Sequence, residues 1–150
     1  PKKNIFTKLT RQEDSLVQNR FVNNERISLQ KKENSVYALP VYYLTDIAFI
    51  QSALYIKKAG VLVGQLTLSE LVPEHELALS TIINTELQAI ELTQREAICY
   101  LSKGQIDPGE HSGGWTLARY RHHNLGWMKV LSNRINNYYP SAWRILSKPK

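Results

Sequence analysis

The apolar residues of this chain come in short runs, such as Tyr42–Leu44 and Val61–Val63, punctuated by Gly, Pro, Asn and Ser. Runs of this length suit short strands and fall far below the roughly 20 apolar residues that a membrane-crossing helix needs. Residues 26–44 alternate loosely, with Ile27, Leu29, Val36, Ala38, Leu39, Val41 and Tyr43 as inward positions and Lys31–Asn34 as a turn, which predicts a hairpin. Pro40 has no amide hydrogen, so the second strand of that pair starts after it or lies on an edge. Thr45–Ala53 fits either a short helix or a loop. Leu54–Lys57 and Val61–Leu66 predict another hairpin through Lys58-Ala59-Gly60, with glycine at the position most tolerant of positive φ.

Helix signals are fewer and sharper. Thr10 with Glu13, and Thr93 with Glu96, each have the spacing of a capping box, in which the threonine hydroxyl and the glutamate carboxylate satisfy the first amides of a helix. After Thr93, Ala97, Ile98, Tyr100 and Leu101 follow at helical spacing until Gly104. Pro73 opens a third candidate helix, and Glu74 and Glu76 favour its positive end. Ala89–Leu92 is a short strand. Trp115–Tyr120 and Leu125–Leu131 form a further strand pair through His122-His123-Asn124, although Trp115–Tyr120 has no clean apolar side. Ser132–Tyr139 is a turn of helix or coil before Pro140. Many short strands with two or more short helices predict an α+β fold, a small mixed β-barrel.

With 150 residues and 43% apolar content, the chain is long enough for one packed domain or two small subdomains. The single cysteine, Cys99, excludes an internal disulfide, a multi-cysteine zinc site and chemistry by paired thiols, and it suits a reducing cytosol. The absence of a charged-then-apolar leader leads to the expectation of a soluble cytoplasmic protein without membrane contact. The start at Pro1 rather than Met leads to the expectation of an engineered or excised fragment of something longer, and the residues before Thr10 are expected to be mobile.

The net charge of +6 is uneven. Residues 1–50 hold eight Lys/Arg against five Asp/Glu, residues 51–100 three against six, and residues 101–150 eight against two. A basic excess concentrated in one segment points to a polyanionic partner. The same segment, Trp115 to Arg144, interleaves rings with cations, the composition found where bases stack on side chains and phosphates meet Lys and Arg. Trp127 and Tyr139 would either stack on bases or fill the core, and Asn137 would either touch nucleic acid or orient its loop through its own backbone. Arg119, Arg121 and Arg134 add charge beside Lys129 and Arg144. His122 and His123 with His111 invite a metal reading, but adjacent histidines point to opposite sides of an extended chain and no Cys or carboxylate completes a ligand set. Cys99 reads as a small buried apolar residue, and Glu70, Glu74 and Glu76 have an ordinary electrostatic reason to stand at a helix start. No nucleophile–base pair stands out.

Leu125-Gly126-Trp127-Met128-Lys129, then Asn136-Asn137-Tyr138-Tyr139-Pro140 and Arg144, resembles the ending of the PUA-like RNA-binding region at the C-terminus of bacterial cytosine-5 ribosomal RNA methyltransferases of the Sun/Nop type. The Gly60–Gly64 stretch, the Pro73–Leu79 segment and the strand, capping box and Tyr100–Gly104 unit follow in similar order, so the resemblance covers about residues 55–145. It implies a PUA-like RNA-binding domain over 55–150, preceded by a small α/β linking subdomain over 1–54. It further implies Lys129 and Arg144, at family-matching positions, as the leading phosphate or ribose contacts. Enzymes of that family use two cysteines and S-adenosylmethionine held by a glycine-rich loop. This chain has one cysteine and no Gly-x-Gly after a strand, so it holds no catalytic residues and no cofactor of its own. The resulting expectation is an accessory module, monomeric, which positions ribosomal RNA for its own N-terminal methyltransferase domain, or alternatively a docking domain that packs on that catalytic partner without touching RNA.

Overall fold

A computed structural model describes residues 6–18, 20–107 and 109–147, in two compact units divided between Asn84 and Thr85. The first five residues, part of the flank expected to be mobile, lie outside the described residues.

The first unit is built on a five-stranded antiparallel sheet in simple sequence order, β1 (Thr7–Lys8), β2 (Ile27–Lys32), β3 (Ser35–Pro40), β4 (Val61–Leu66) and β5 (Leu71–Pro73). Helix α1 (Arg11–Val17) follows β1 and starts in the expected capping box: Thr10 Oγ1 accepts from the Glu13 amide, and Glu13 returns a carboxylate to the Thr10 amide at 2.8 Å. Its last residue, Val17, is buried, as are Phe21, Val22, Leu29, Val36, Leu39, Val63, Leu71 and Leu77. The expected hairpin over 26–44 is present, with Glu33 and Asn34 at the turn and Glu33 at φ 56°.

Several local expectations give way to this sheet. Leu54–Lys57 does not pair with Val61–Leu66, because β3 takes that place, and Gly60 at φ +65° packs its backbone under the Ala38 carbonyl. Residues 61–73 therefore belong to the first sheet, whereas the sequence placed a boundary at 54/55. Pro40 closes β3 instead of preceding it, paired with Ile27. Thr45–Ala53 resolves as helix α2 (Leu44–Ala53), which buries none of its residues. Pro73 ends β5, and the short helix α3 (His75–Ala78) starts beyond it.

The second unit has a four-stranded sheet in the order β6 (Ala89–Glu91), β7 (Gly114–Tyr120), β8 (His123–Val130) and β9 (Ile135–Asn137). Strands β6 and β7 run parallel and are joined through α4 (Gln94–Leu101), while β7, β8 and β9 form an antiparallel meander. The capping box of Thr93 and Glu96 starts α4, and its packed face carries Ala97 and Tyr100. These join Ile90, Leu92, Ile106, Ala118, Met128, Val130 and Ile135 in one apolar cluster, with Leu101, Tyr120, Leu125 and Tyr139 partly buried against it. The hydroxyl of Tyr100 donates to the Trp127 carbonyl at 2.9 Å, so its polar end is satisfied inside that core.

Strand β7 lacks a clean apolar side because Trp115, Thr116, Leu117 and Ala118 are all buried, which removes the alternation a half-exposed strand would show. The β7–β8 turn falls at Arg121 and His122, one residue earlier than expected, with φ of 49° and 64°. Residues 132–139 yield strand β9 in place of helix or coil. The molecule is thus α+β, as the mixture of short strands and capped helices predicted. Among the described residues, no helix is long and apolar enough to cross a membrane, and no group of three or more His, Cys, Asp or Glu is placed to hold a metal ion.

Candidate nucleic-acid interface

The register of the second sheet decides which side chains meet. Trp115 on β7 stands opposite Lys129 on β8, and Lys129 stands opposite Asn136 on β9. Directly opposed residues share a face, and so do residues two apart along one strand. Trp115, Lys129, Asn136 and Tyr138 therefore form one cross-strand group. The Lys129 ammonium lies 5.0 Å from the centre of the Trp115 ring, and the Tyr138 ring meets Trp115 edge-on at 4.5 Å. Tyr138 is 40% exposed while Trp115 is only 5% exposed. The outer ring can therefore accept a stacked partner, and the inner one holds it in position.

The other expected contacts separate into distinct places. Arg134 lies exposed in the β8–β9 turn, close in sequence to this group. Arg119 shares the face of Trp115 but stands opposite Asn124, whose Oδ1 accepts from its Nε at 2.7 Å. Five residues of strand between Asn124 and Lys129 correspond to roughly 17 Å, so Arg119 and the exposed Arg121 belong to the far end of the hairpin. There Arg121 sits 5.3 Å from the Tyr120 ring centre, the His122 amide donates to Glu91, and His123 Nδ1 is 2.7 Å from the Arg121 carbonyl. Arg144 is exposed after a short helical turn over Ser141–Trp143 and donates to the Ser141 carbonyl at 2.8 Å.

Three expected contacts are taken up by the core. Trp127 is fully buried, and its ring lies 6.5 Å from that of Trp115, so its face is closed to a base. Of the two readings of this ring the structure selects the core, because a buried indole contributes apolar area that a domain this small needs. Tyr139 lies edge-on to Tyr100 at 5.5 Å and packs on the same apolar cluster. Asn137 works through backbone: its Nδ2 donates to the Tyr100 carbonyl at 2.8 Å, and its Oδ1 accepts from the Tyr139 amide at 2.9 Å. Being odd-numbered residues on β9 and its continuation, Asn137 and Tyr139 face α4, opposite to Asn136 and Tyr138.

Sequence reasoning thus missed Trp115, Asn136, Tyr138 and, from the turn after α4, Lys103, whose Nζ donates to the Asn137 carbonyl at 2.7 Å. The signal for Tyr138 was the period of two: the face that buries Ile135 excludes it. Cys99 is half-buried, with its thiol 3.2 Å from the Gln105 carbonyl.

No curated protein matches the chain in sequence. Residues 87–145, which lie wholly in the second unit and hold the Trp115, Lys129, Asn136 and Tyr138 group, match the family model described as the methyltransferase RsmF PUA domain, so that this part of the chain is similar to that domain.

Proposed function

We propose that the chain is an accessory RNA-binding module of an S-adenosylmethionine-dependent ribosomal RNA cytosine-5 methyltransferase. It positions ribosomal RNA for a catalytic domain elsewhere in the parent protein, which holds the cofactor and carries the thiol chemistry. The module acts as a monomer in the cytoplasm. The observation that carries this reading is the Lys129 ammonium over the Trp115 ring, with the Tyr138 ring edge-on to that same indole, on the matched unit. A cation neutralises phosphate and releases its counterions, while an exposed ring stacks on an unpaired base, and the two together favour single-stranded or looped RNA. The unit over 85–150 holds nine Lys/Arg against five Asp/Glu, a bias in the same direction.

Anisotropy of a labelled ribosomal RNA fragment across a salt series tests it. Affinity falls steeply with salt, and Lys129→Ala reduces the log–log slope by about 0.7 for each phosphate of a single strand that is no longer neutralised. A slope near zero in the unaltered chain would sink the reading.

A second reading, docking on the catalytic domain without RNA contact, is favoured by the apolar surface of the first unit. Tyr42, Phe49 and Tyr55 are 94%, 76% and 74% exposed. Unchanged RNA affinity in a Lys129→Ala, Arg144→Ala double variant of equal thermal stability selects this second reading.

A further inference from the structure

Between the turn after α4 and strand β9 the second unit holds a cleft of about 410 Å³, whose walls include Lys103, Gly104, Asn136, Asn137 and Tyr138. Its size lies within the range of small-ligand sites, roughly 300–1,000 Å³. Among its described lining residues none carries a carboxylate, and Lys103 supplies one cation. The ammonium has three donors, one of which goes to the Asn137 carbonyl, so two remain for an anion in the cleft.

Lys103 is placed there by a strained backbone. It follows Ser102, the last cap residue of α4, and has φ 61°, at the position where glycine is the usual occupant. Glycine stands one residue later, and a Cβ on Gly104 would come within 2.4 Å of the Cys99 sulfur. The chain therefore keeps a lysine in a left-handed conformation that an unsubstituted backbone adopts more easily, and the side chain so placed crosses to β9. Across the edge strand, on the face of β9 turned away from α4, the half-buried Asn136 side chain offers a donor and an acceptor together, the combination needed at the edge of a base. The Tyr138 ring, exposed at 40% and braced by Trp115, lies on that same outer face, and Tyr138 is among the residues that line the cleft.

We propose that this cleft receives one unstacked nucleotide of a single-stranded RNA segment. The base lies against the Tyr138 ring with its edge at the Asn136 amide, and its phosphate meets the Lys103 ammonium. The RNA source of that nucleotide rests on the function proposed above, whereas the nucleotide chemistry rests on the cleft alone.

The whole chain, labelled with ¹⁵N, is titrated with AMP, CMP, GMP and UMP, and separately with inorganic phosphate and with a short acidic peptide. Saturable shifts are expected at the amides of Gly104, Gln105, Asn137 and Tyr138 with nucleotides. Tyr138→Ala should weaken them by roughly five- to a hundredfold, the range that loss of a base–aromatic stack produces. Lys103→Gln keeps a donor for Asn137 and serves if the tyrosine variant fails to fold; it should weaken nucleotides in the same direction. Equal shifts with phosphate or peptide overturn the proposal, as do shifts confined to other residues or none. Steep salt dependence of RNA binding without shifts in the cleft overturns the cleft and leaves the RNA reading intact. Nucleotide shifts in the cleft without salt-dependent RNA binding support the cleft and overturn that reading.

Discussion

The amide of Asn137 on the edge strand β9 donates to the carbonyl of Tyr100 in the last full turn of α4, 37 residues away in sequence. The same side chain holds the Tyr139 amide, so one residue stitches the sheet edge to the helix and sets the following bend. Asn137→Ala leaves the Tyr100 carbonyl without this donor. The expected loss is about 1–3 kcal/mol, the cost of an abandoned partly buried polar group, read as a lower urea midpoint with an unchanged slope.

Tyr100→Phe removes the hydroxyl that donates to Trp127 and is expected to cost about 1 kcal/mol at neutral pH. Burial, with Tyr139 close by, drives the Tyr100 phenol far above its ordinary value of 10.0. A raised value means that the neutral form is favoured in the fold, so its contribution is complete below pH 10.0 and is lost as pH rises beyond it. The stability gap between the unaltered chain and Tyr100→Phe should therefore narrow in alkali. A gap that stays constant above that pH would contradict the assignment.

Both capping boxes carry an acid-sensitive contribution. The Thr93 hydroxyl and amide hold Glu96 below the ordinary carboxylate value of 4.5, and hydrogen bonding to Lys31 and Thr10 does the same for Glu13. A lowered value contributes stability above pH 4.5, and this is lost as pH falls through the folded value. Thermal melts from pH 7 down to about pH 3 should show a shallower acid decline for a Glu13→Gln, Glu96→Gln double variant than for the unaltered chain.

Gly60→Ala combines positive φ with a Cβ placed 2.1 Å from the Ala38 carbonyl oxygen, so the β3–β4 approach has to open. A loss of about 2–4 kcal/mol is expected. Gly113→Ala is its control: the new methyl would sit 3.5 Å from the Val130 carbonyl oxygen, and the effect should stay within about 0.5 kcal/mol. Urea unfolding of the two variants makes the comparison.

What could be read from residues alone was local and chemically specific. The two capping boxes named the starts of α1 and α4, and the 26–44 hairpin followed from alternation around a polar turn. Pairings at longer range were not legible. Val61–Leu66 found its partner in β3 rather than in the nearer Leu54–Lys57, because strand propensity does not encode which edge is open. The candidate contacts divided along the same line. Lys129 was marked by charge and by resemblance, but the choice of Trp127 and Tyr139 over Trp115 and Tyr138 required the phase of each strand. A shift of one residue exchanges the two faces. For Asn137 the sequence allows both roles, and its bond to the Tyr139 amide selects the backbone one.

Lys129 and Trp115 also make this surface visible without a label. An indole's emission responds to the electric field across its ring, and a positive charge 5.0 Å from the ring centre contributes to that field. Any anion that draws the ammonium aside alters the colour of the light Trp115 emits, so occupancy at this spot is written into the protein's own fluorescence.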